Sequence, residues 1–507
     1  MVSNFKIKKT MKNKYIYLAV LAAFGFASCE PEFENEVNAD YSSGEADFTS
    51  YVAVGNSLTA GYMDGTVYRS GQQYSFPNLL AQKFALVGGG AFTQPSFAED
   101  VNNLGGISGV PGFNTRLIID ASQGSPENIA GSSTITLTPQ ATAYNNMGVP
   151  GAKSFHLVFP GYGLLNPYYA RHATSPTATV LSDAMTKNPT FFTNWIGAND
   201  VLSYATNGGA QVDGTTPAAD HNLTGNINPA TYGINDITNA GVFANVYSTL
   251  ITTLTNGGAK GVVATVPSVT SIPYFTTVPY NPVPLNNASA SQLNAGYATY
   301  NGALDFAFSN GLISNAERMQ RKVIFNAGQN PVVIVDADLT NLTSFGIPSY
   351  RMTTSQDLIV LPASSLIGTL VGGNPSLING LSVPLANRWV LTSNERAKVA
   401  AATTAYNNAI RSIAATKNLA VADMNAILNE LVSGLRIETG QLYTANYFSG
   451  ASTEGQVLFS LDGVHPNARG YAVITNEIIK VINTHYKSNL PLYHPSYFPG
   501  INVLPSN

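Results

Sequence analysis

The chain has 507 residues, a length that fits one enlarged domain or two to three domains of ordinary size. Charged residues make up only 11% of it, the formal net charge is −4, and it has no basic patch or arginine-rich run, so nucleic acid is not an expected partner. Glycine and neutral polar residues are abundant instead. This composition predicts a surface of hydrogen-bonding groups and long loops, which is common in exported proteins.

The N-terminal segment has the features of an export signal. Five lysines precede the apolar run 15–26, which is shorter than a comfortable membrane span. The run leads into Phe26-Ala27-Ser28-Cys29, which resembles the lipobox of bacterial lipoproteins, where the cysteine is lipidated and becomes the mature N-terminus. A buried free cysteine is the alternative for Cys29, and Met11 offers a shorter signal with the same features.

The lipobox resemblance implies that residues 1–28 are a signal peptide and that Cys29 carries the lipid. Residues 29–47 would form a tether, and their acidic run 30–36 resembles the export signals of surface lipoproteins in the Bacteroidota. We therefore expect an exported protein anchored to a membrane through Cys29, most simply the outer membrane, on its periplasmic or cell-surface face. No cysteine follows Cys29, so neither disulfides nor cysteine-based metal sites are expected.

The stretch 51–62 is the first candidate for a functional element. Apolar residues at 51–54 predict a buried parallel strand, and Gly55-Asn56-Ser57-Leu58 predicts a sharp turn into a helix. Ser57 would then lie at the carboxyl edge of a sheet, where open α/β folds place their sites. Serine is also a common turn and helix-capping residue, so this turn alone does not establish a nucleophile.

The rest of the chain alternates between helical and strand-like patterns. Apolar stripes predict helices over 75–84, 242–254, 301–321, 394–416 and 472–486, and apolar β-prone runs predict strands near 143–152, 190–196, 261–267 and 419–423. Residues 85–140 are expected to be an elaborated loop region and residues 275–300 to be turn-rich. This alternation predicts right-handed βαβ units and a parallel sheet.

One domain over residues 48–487 accounts for this rhythm, with residues 488–507 as a C-terminal extension. Residues 322–390 interrupt it with short apolar runs separated by Gly, Pro and Ser. We expect this segment to be an insertion that covers the site and shapes the substrate pocket. The alternative is an insertion that packs away from the site and does not shape the pocket.

Asp462 and His465 stand three residues apart, just before the last predicted helix. This spacing allows the carboxylate to contact one imidazole nitrogen while the other faces outward, which supplies the acid and base that a serine nucleophile requires. An Asp turn beside a surface histidine would have the same spacing. No metal or other cofactor is expected, because metal-ligand spacing is absent around the other histidines, which are His156, His172, His221, His485 and His494.

Four short blocks together resemble the SGNH hydrolases, the GDSL esterase/lipase family. They stand in the family's order: Gly55-Asn56-Ser57-Leu58, the Gly148/Gly151 turn, Gly197-Ala198-Asn199-Asp200 and Asp462-Gly463-Val464-His465-Pro466. The resemblance implies a three-layer α/β/α fold with a five-stranded parallel sheet in flavodoxin-like order. It spans roughly residues 48–485, but only through these blocks and the strand rhythm, since the long insertions have no counterpart in the minimal family pattern.

By this resemblance, Ser57 is the nucleophile, His465 the base and Asp462 the acid. The oxyanion hole would be formed by the backbone N–H of Ser57, by Gly151 and by Asn199.

Two details of the resemblance stay open from the sequence. Gly148 competes with Gly151 for the glycine of the oxyanion hole. The family's usual aspartate before the serine is Asn56 here, which leaves open how the turn is hydrogen-bonded but does not affect the nucleophile.

The expected activity is hydrolysis of acyl or acetyl esters through an acyl-serine intermediate, as in a lipase or carboxylesterase. The substrate would be a small-molecule, lipid or glycan ester, and the protein is expected to be a monomer. A polysaccharide O-deacetylase of the same fold uses the same four blocks and is the first alternative. The alternative from a different class is a non-catalytic surface lipoprotein that binds a glycan or a partner, against which the complete blocks argue.

Overall fold

The computed structural model describes most of the chain from residue 40 onward, namely residues 40–120, 125–449, 454–501 and 503–504. The expected signal peptide, Cys29 and most of the tether lie outside the described residues. Residues 42–507 form one compact unit. In the part of the chain that the structure describes, no helix is both long and apolar enough to cross a membrane.

A five-stranded parallel sheet forms the centre of this unit. Its strands in chain order are β1 (Tyr51–Gly55), β2 (Asn146–Gly148), β3 (Phe191–Trp195), β4 (Lys260–Ala264) and β5 (Ala420–Ala422). They lie side by side in the order β5-β4-β3-β1-β2, and every neighbouring pair is parallel. This confirms the predicted parallel sheet, and the strand order is that of flavodoxin-like folds. The loops after β2 and β3 therefore flank the loop after β1.

Eight helices frame the sheet and the site: α1 (Ser57–Ala60), α2 (Phe76–Ala85), α3 (Asn199–Thr206), α4 (Ala240–Thr255), α5 (Asn287–Ser309), α6 (Ser393–Thr416), α7 (Met424–Ser433) and α8 (Ala468–Tyr486). Shorter helices lie in the loops, at Arg69–Gln72, Pro167–Ala170, Val180–Met185, His221–Thr224, Pro273–Thr276 and Asn315–Arg321.

Short strands outside the central sheet pair within the loops. They are Leu117–Asp120 with Glu127–Asn128 and Val503–Leu504, Val283–Leu285 with Gly328–Asn330, Val333–Val335 with Tyr350–Met352, Leu358–Ile359 with Val390–Leu391, and Leu435–Arg436 with Leu442–Tyr443.

Helices cover both faces of the sheet, because alternate strand residues point to opposite sides. On one face, Tyr51 packs in a cluster with Phe84 of α2 and Ile479 of α8. On the other, Val52 belongs to a cluster that includes residues of α4 and Tyr406 of α6. All five residues of β1 are buried, as expected for a strand with helices on either side. The arrangement has the layers expected of an α/β/α fold.

Side-chain caps determine where two of these helices begin. Ser75 accepts a hydrogen bond from the backbone N–H of Asn78 at the start of α2, as its position in the sequence predicts. At the start of α8, the side chain of Asn467 accepts from the backbone N–H of Gly470 at 2.9 Å. The second cap ends the loop that carries His465 and joins it to a long, well-packed helix.

The region before the predicted insertion differs from the expectation. Residues 275–300 are not turn-rich throughout, because α5 begins at Asn287 and runs to Ser309. Asn286 caps it by accepting from the backbone N–H of Ser289 at 2.8 Å. The buried residues of α5 are few and widely spaced, at Ala290, Tyr297, Leu304 and Ala307. A helix that buries so narrow a stripe has a weak apolar signal in its sequence.

Residues 322–390 form no strand of the central sheet, as the broken rhythm predicts. Their buried residues, such as Val333, Ile359 and Val360, belong to the same apolar cluster as α4 and α6. The segment therefore packs onto the main core. It also contains a buried ion-pair group in which Arg351 contacts Asp336 at 2.5 Å and Asp357 at 2.7 Å.

The start of the compact unit meets the end of α8 at the amino edge of the sheet. The backbone N–H of Glu45 donates to the carbonyl of Tyr486 at 2.7 Å, and that of Ser42 donates to the side chain of Asn489 at 2.5 Å. Lys260, the first residue of β4, donates to the carbonyl of Glu45. Beyond α8, the hydroxyl of Tyr493 donates to the carbonyl of Leu79 at 2.9 Å, so the C-terminal extension packs against α2.

Candidate active site

The turn that follows β1 presents Ser57 as the first residue of α1. A Cβ at Gly55 would lie 2.2 Å from Thr59 Oγ1 and 2.5 Å from the carbonyl oxygen of Trp195, so only glycine fits there. The side chain of Asn56 accepts from the backbone N–H of Leu58 at 3.1 Å and caps the helix. Asn56 therefore provides the hydrogen bond that a capping residue must supply at this turn.

Ser57, His465 and Asp462 form one hydrogen-bonded chain. His465 Nε2 lies 2.8 Å from Ser57 Oγ, and His465 Nδ1 lies 2.9 Å from Asp462 Oδ2. A carboxylate can only accept, so Nδ1 carries a proton, and Nε2 is placed to accept from the serine hydroxyl. Ser57 is 7% exposed. The structure thus brings together the three residues that the sequence predicts as nucleophile, base and acid.

The carboxylate of Asp462 is held by several donors besides the imidazole. Its Oδ1 accepts from the backbone N–H groups of Val464 and His465, both at 2.8 Å, and from Ser460 Oγ at 3.1 Å. Its Oδ2 accepts from the backbone N–H of Gly65 at 3.2 Å. Burial opposes ionisation, but His465 and these N–H groups outweigh it and lower the pKa of Asp462. Asp462 is therefore ionised and fixed in position.

A turn at residues 64–65 supports the loop that carries Asp462 through hydrogen bonds. This turn was not predicted from the sequence. Asp64 Oδ1 accepts from the backbone N–H of Leu461 at 3.1 Å, and its Oδ2 accepts from the hydroxyl of Tyr68 at 2.9 Å. Its own N–H donates to Ser460 Oγ at 3.0 Å. Burial, with a further contribution from the charge of Asp462, raises the pKa of Asp64 to about 6. The only local signal was the Asp64-Gly65 pair, which is typical of turns.

Tyr62 packs against the imidazole of His465. Its ring centroid lies 4.5 Å from that of His465, with the planes tilted by 43°. The carbonyl of Tyr62 accepts from the hydroxyl of Tyr471 in α8 at 2.7 Å. Since α8 also follows directly on His465, the ring and the base are positioned by the same helix.

The loop over residues 149–154, after β2, resolves the choice between the two glycines. The N–H of Gly148 donates to Asn146 Oδ1 at 3.0 Å, and a Cβ at Gly148 would lie 2.3 Å from the backbone nitrogen of Ala60. Gly148 therefore packs against α1 with its donor occupied. Gly151 is exposed, with φ at +80°, and its N–H has no hydrogen-bond partner among the described residues. The geometry favours Gly151 as the available donor.

Asn199 and Asp200 connect α3 to this loop. Asn199 Nδ2 donates to the carbonyl of Ala152 at 2.9 Å, which leaves a second N–H on the same nitrogen. Its side chain does not cap α3, where the N-cap position belongs to Ala198. Asp200 accepts from the backbone N–H and the hydroxyl of Ser154 at 2.8 and 2.7 Å. Burial raises the pKa of Asp200, and these hydrogen bonds act in the opposite direction.

The 322–390 segment approaches the loop over residues 460–467 through Leu361. Gly463 has φ at +71°, and a Cβ there would lie 2.9 Å from Cδ2 of Leu361. The carbonyl of Gly463 also accepts from the backbone N–H of Tyr274 at 2.9 Å. The segment thus contacts the loop that carries His465, and its effect on substrate choice stays a prediction.

Another of the candidate histidines, His221, has structural partners. His221 Nε2 lies 2.9 Å from Asp236, and its ring stacks on Tyr232 with centroids 3.8 Å apart. In the described ranges, no group of three or more His, Cys, Asp or Glu side chains could hold a metal ion.

Comparison with family models and with curated proteins found no match to this chain. The chemistry of the site is therefore inferred from its own geometry.

Proposed function

We propose that this protein is a serine hydrolase of the SGNH type that cleaves acyl or acetyl esters. The observation that carries the proposal is the continuous chain from Ser57 Oγ through His465 to Asp462, with links of 2.8 and 2.9 Å. A serine is a weak nucleophile without an adjacent base, and the base needs a third group to orient it. Both requirements are met at the carboxyl edge of a parallel sheet.

In the first step, Ser57 Oγ attacks the ester carbonyl carbon while its proton passes to His465 Nε2. The tetrahedral intermediate then collapses, and His465 returns this proton to the departing alcohol oxygen, which leaves an acyl-serine. Water attacks the acyl-serine with His465 again as base, and the acid and the free Ser57 hydroxyl are released. Asp462 stabilises the imidazolium in both steps without taking its proton.

The negative charge on the carbonyl oxygen requires donors that are free before substrate binds. The unpaired N–H of Gly151, the second amide N–H of Asn199 and the backbone N–H of Ser57 are the candidates. Such donors contribute most when they are held rigid before the reaction. The bonds from the Asn199 amide to Ala152 and from Ser154 to Asp200 provide that rigidity.

A fluorophosphonate probe separates an enzyme from a non-catalytic binding lipoprotein. The wild-type protein and a Ser309→Ala control, which changes an exposed serine in α5, should both be labelled. Ser57→Ala should not. Labelling that persists in Ser57→Ala, or no labelling of the wild type, would contradict the proposal. A panel of p-nitrophenyl esters with acetylated xylan and pectin then separates a carboxylesterase from a polysaccharide deacetylase.

We also propose that the protein is exported and anchored through a lipid on Cys29. This proposal is supported only by the sequence around Cys29, which resembles a lipobox. One acyl-bearing cysteine of this kind would direct the protein to the membrane fraction. Cys29→Ser should shift it to the soluble fraction. Wild-type protein that is neither processed nor lipidated in cells would overturn this proposal.

A further inference from the structure

Asp64 joins the turn that follows α1 to the loop over residues 460–467. Its Oδ1 accepts from the backbone N–H of Leu461 at 3.1 Å, and its own N–H donates to Ser460 Oγ at 3.0 Å. The same hydroxyl donates to Oδ1 of Asp462 at 3.1 Å. Ser460 is buried. The backbone of Asp64 is therefore linked to the acid of the triad through a single buried hydroxyl group.

The segment that contains Asp64 also carries the nucleophile. The N–H of Tyr62 donates to the carbonyl of Ser57 at 3.1 Å. The N–H of Gly65 donates to Oδ2 of Asp462 at 3.2 Å, and this oxygen is also the one that contacts the imidazole. A displacement of Asp64 would therefore change how the nucleophile and the acid are placed relative to each other.

Two features of Asp64 cost stability. Its φ is +52°, in the left-handed region that residues other than glycine adopt at a cost. Burial and the charge of Asp462 raise its pKa to about 6, although Leu461, Tyr68 and Arg116 act to lower it. An asparagine tolerates the same backbone conformation and would still accept from the N–H of Leu461. Asp64 therefore carries a charge that the turn itself does not need.

We propose that Asp64 is a positioning residue of the triad and that its negative charge makes His465 a stronger base. The inference rests on the proposed ester hydrolysis and adds a pH-sensitive residue to its site. Negative charge near the triad favours the imidazolium that forms in both steps. Asp64 acts through Ser460 and Asp462, so its effect is smaller than that of Asp462 itself.

The charged and ionisable groups around Asp64 leave it free to act as the variable charge. Burial raises the pKa of Tyr68 and of Tyr447, so both phenols stay neutral. The pKa of Asp462 is lowered, and an arginine such as Arg116 keeps its charge at any pH of interest. Asp64 is ionised above about pH 6 and neutral below it. Its support for the imidazolium is therefore present above that pH and lost below it.

The first experiment measures the pH profile of kcat/KM for p-nitrophenyl acetate. Asp64→Asn should lower kcat about threefold near neutral pH, leave KM unchanged and move the acidic limb down by about half a pH unit, since this factor and this shift are the same free energy. The two profiles should converge below about pH 6, where wild-type Asp64 is itself neutral. Asp305→Asn, which removes a surface carboxylate from α5, should change neither quantity.

The stability of the same variants separates a positioning role from a structural one. Asp64→Asn should be more stable than wild type at pH 7 and yet less active. A more stable variant with the kcat and acidic limb of wild type would overturn the proposal, and so would a lower kcat without movement of the limb. Asp64→Gly fits the left-handed backbone but removes the acceptor as well as the charge. Its kcat should fall at least tenfold, and a kcat equal to that of Asp64→Asn would contradict the positioning role.

A titration that needs no turnover separates this inference from the proposed function. In Ser57→Ala, NMR follows the ring of His465 with pH, and the signal is assigned by its loss in His465→Gln. Adding Asp64→Asn should lower the midpoint by about half a pH unit. Equal midpoints would overturn the inference even if the wild type hydrolyses esters. Conversely, a wild type that is neither labelled by the fluorophosphonate nor active would overturn the hydrolase, while the shifted titration still stood.

Discussion

The two loops beside the turn that carries Ser57 use their polar groups in opposite ways. In the loop over residues 460–467, Asp462 accepts hydrogen bonds from four groups besides the imidazole, and the imidazole is bonded on both nitrogens. In the loop over residues 149–154, Gly151 keeps an N–H without a partner among the described residues. That loop is held instead through Ala152, which accepts from Asn199, and Ser154, which donates to Asp200.

Under the proposed hydrolysis, the difference between the two loops follows from when each group meets its partner. A base must be oriented before substrate arrives, so its partners can be permanent parts of the protein. An oxyanion exists only during the reaction, and a donor already paired in the resting protein would give little advantage. If the protein is the proposed hydrolase, the comparison teaches that a resting site can keep the oxyanion donors unpaired while the triad is fully bonded.

The largest expected effect comes from breaking the fully bonded side. Ser57→Ala and His465→Ala should each lower kcat on the order of 10⁴–10⁶-fold, because the members of a triad act as a unit. Hydrolysis of a p-nitrophenyl ester measures the rate, and thermal unfolding of Ser57→Ala should shift only slightly, because the substitution removes one oxygen and its hydrogen bond to His465, about 1 kcal/mol. Wild-type turnover by Ser57→Ala would remove the whole assignment.

The next largest effect is expected from removing one of the unpaired donors, the side-chain amide of Asn199. Asn199→Ala should lower kcat by roughly 10²–10³, about 2.7–4 kcal/mol, with KM little changed, because the amide meets charge mainly in the transition state. Asn199→Asp should be worse, since it places a carboxylate where negative charge develops. The control is Asn207→Ala, whose amide donates to Ser203 at the other end of α3. An Asn199→Ala protein that melts earlier but turns over normally would give Asn199 only a structural role.

Asp64 provides a pH-dependent test of the support behind the bonded loop. Its pKa is raised from 3.8 to about 6 by burial and by Asp462, while Leu461, Tyr68 and Arg116 act to lower it. The folded protein thus binds a proton that the unfolded chain releases, and stability is lost as the pH rises from about 4 through about 6.

Asp64→Asn removes this titration. The free energy of unfolding of the variant relative to wild type should therefore rise across that window, by up to about 3 kcal/mol. Urea unfolding at several pH values between 4 and 7 measures it. If the free energies of unfolding of the two proteins changed with pH in parallel, burial would not raise the pKa of Asp64.

The smallest expected effect is that of Ser460→Ala. Its hydroxyl donates to Asp462 and accepts from the N–H of Asp64, but Asp462 keeps its backbone donors when the hydroxyl is lost. We expect a loss of about 1 kcal/mol of stability and only a few-fold decrease in kcat. If kcat fell as far as in Asn199→Ala, the bonded loop would depend on one contact, and the contrast between the two loops would be weaker.

The site residues with local signals could be predicted from the sequence. Ser57 follows a buried strand, and Asp462 and His465 stand at a spacing that suits one carboxylate–imidazole contact. The parallel sheet followed from the alternation of apolar strands and helices. These signals are local, so each is visible in a short stretch of sequence.

The features that the sequence did not reveal depend on contacts between distant segments. The turn at Asp64 meets Ser460 and Leu461 across nearly four hundred residues. The choice of Gly151 over Gly148 depends on where Asn146 directs its side chain.

The contact between the start of the compact unit and the end of α8 at the amino edge of the sheet has a consequence for orientation. All strands of a parallel sheet run from the amino edge to the carboxyl edge. Residue 42 and Ser57 therefore lie at opposite edges of the sheet. The chain therefore enters the compact unit at the edge remote from Ser57, and a change at this entry point leaves the loops that carry Ser57 and His465 untouched.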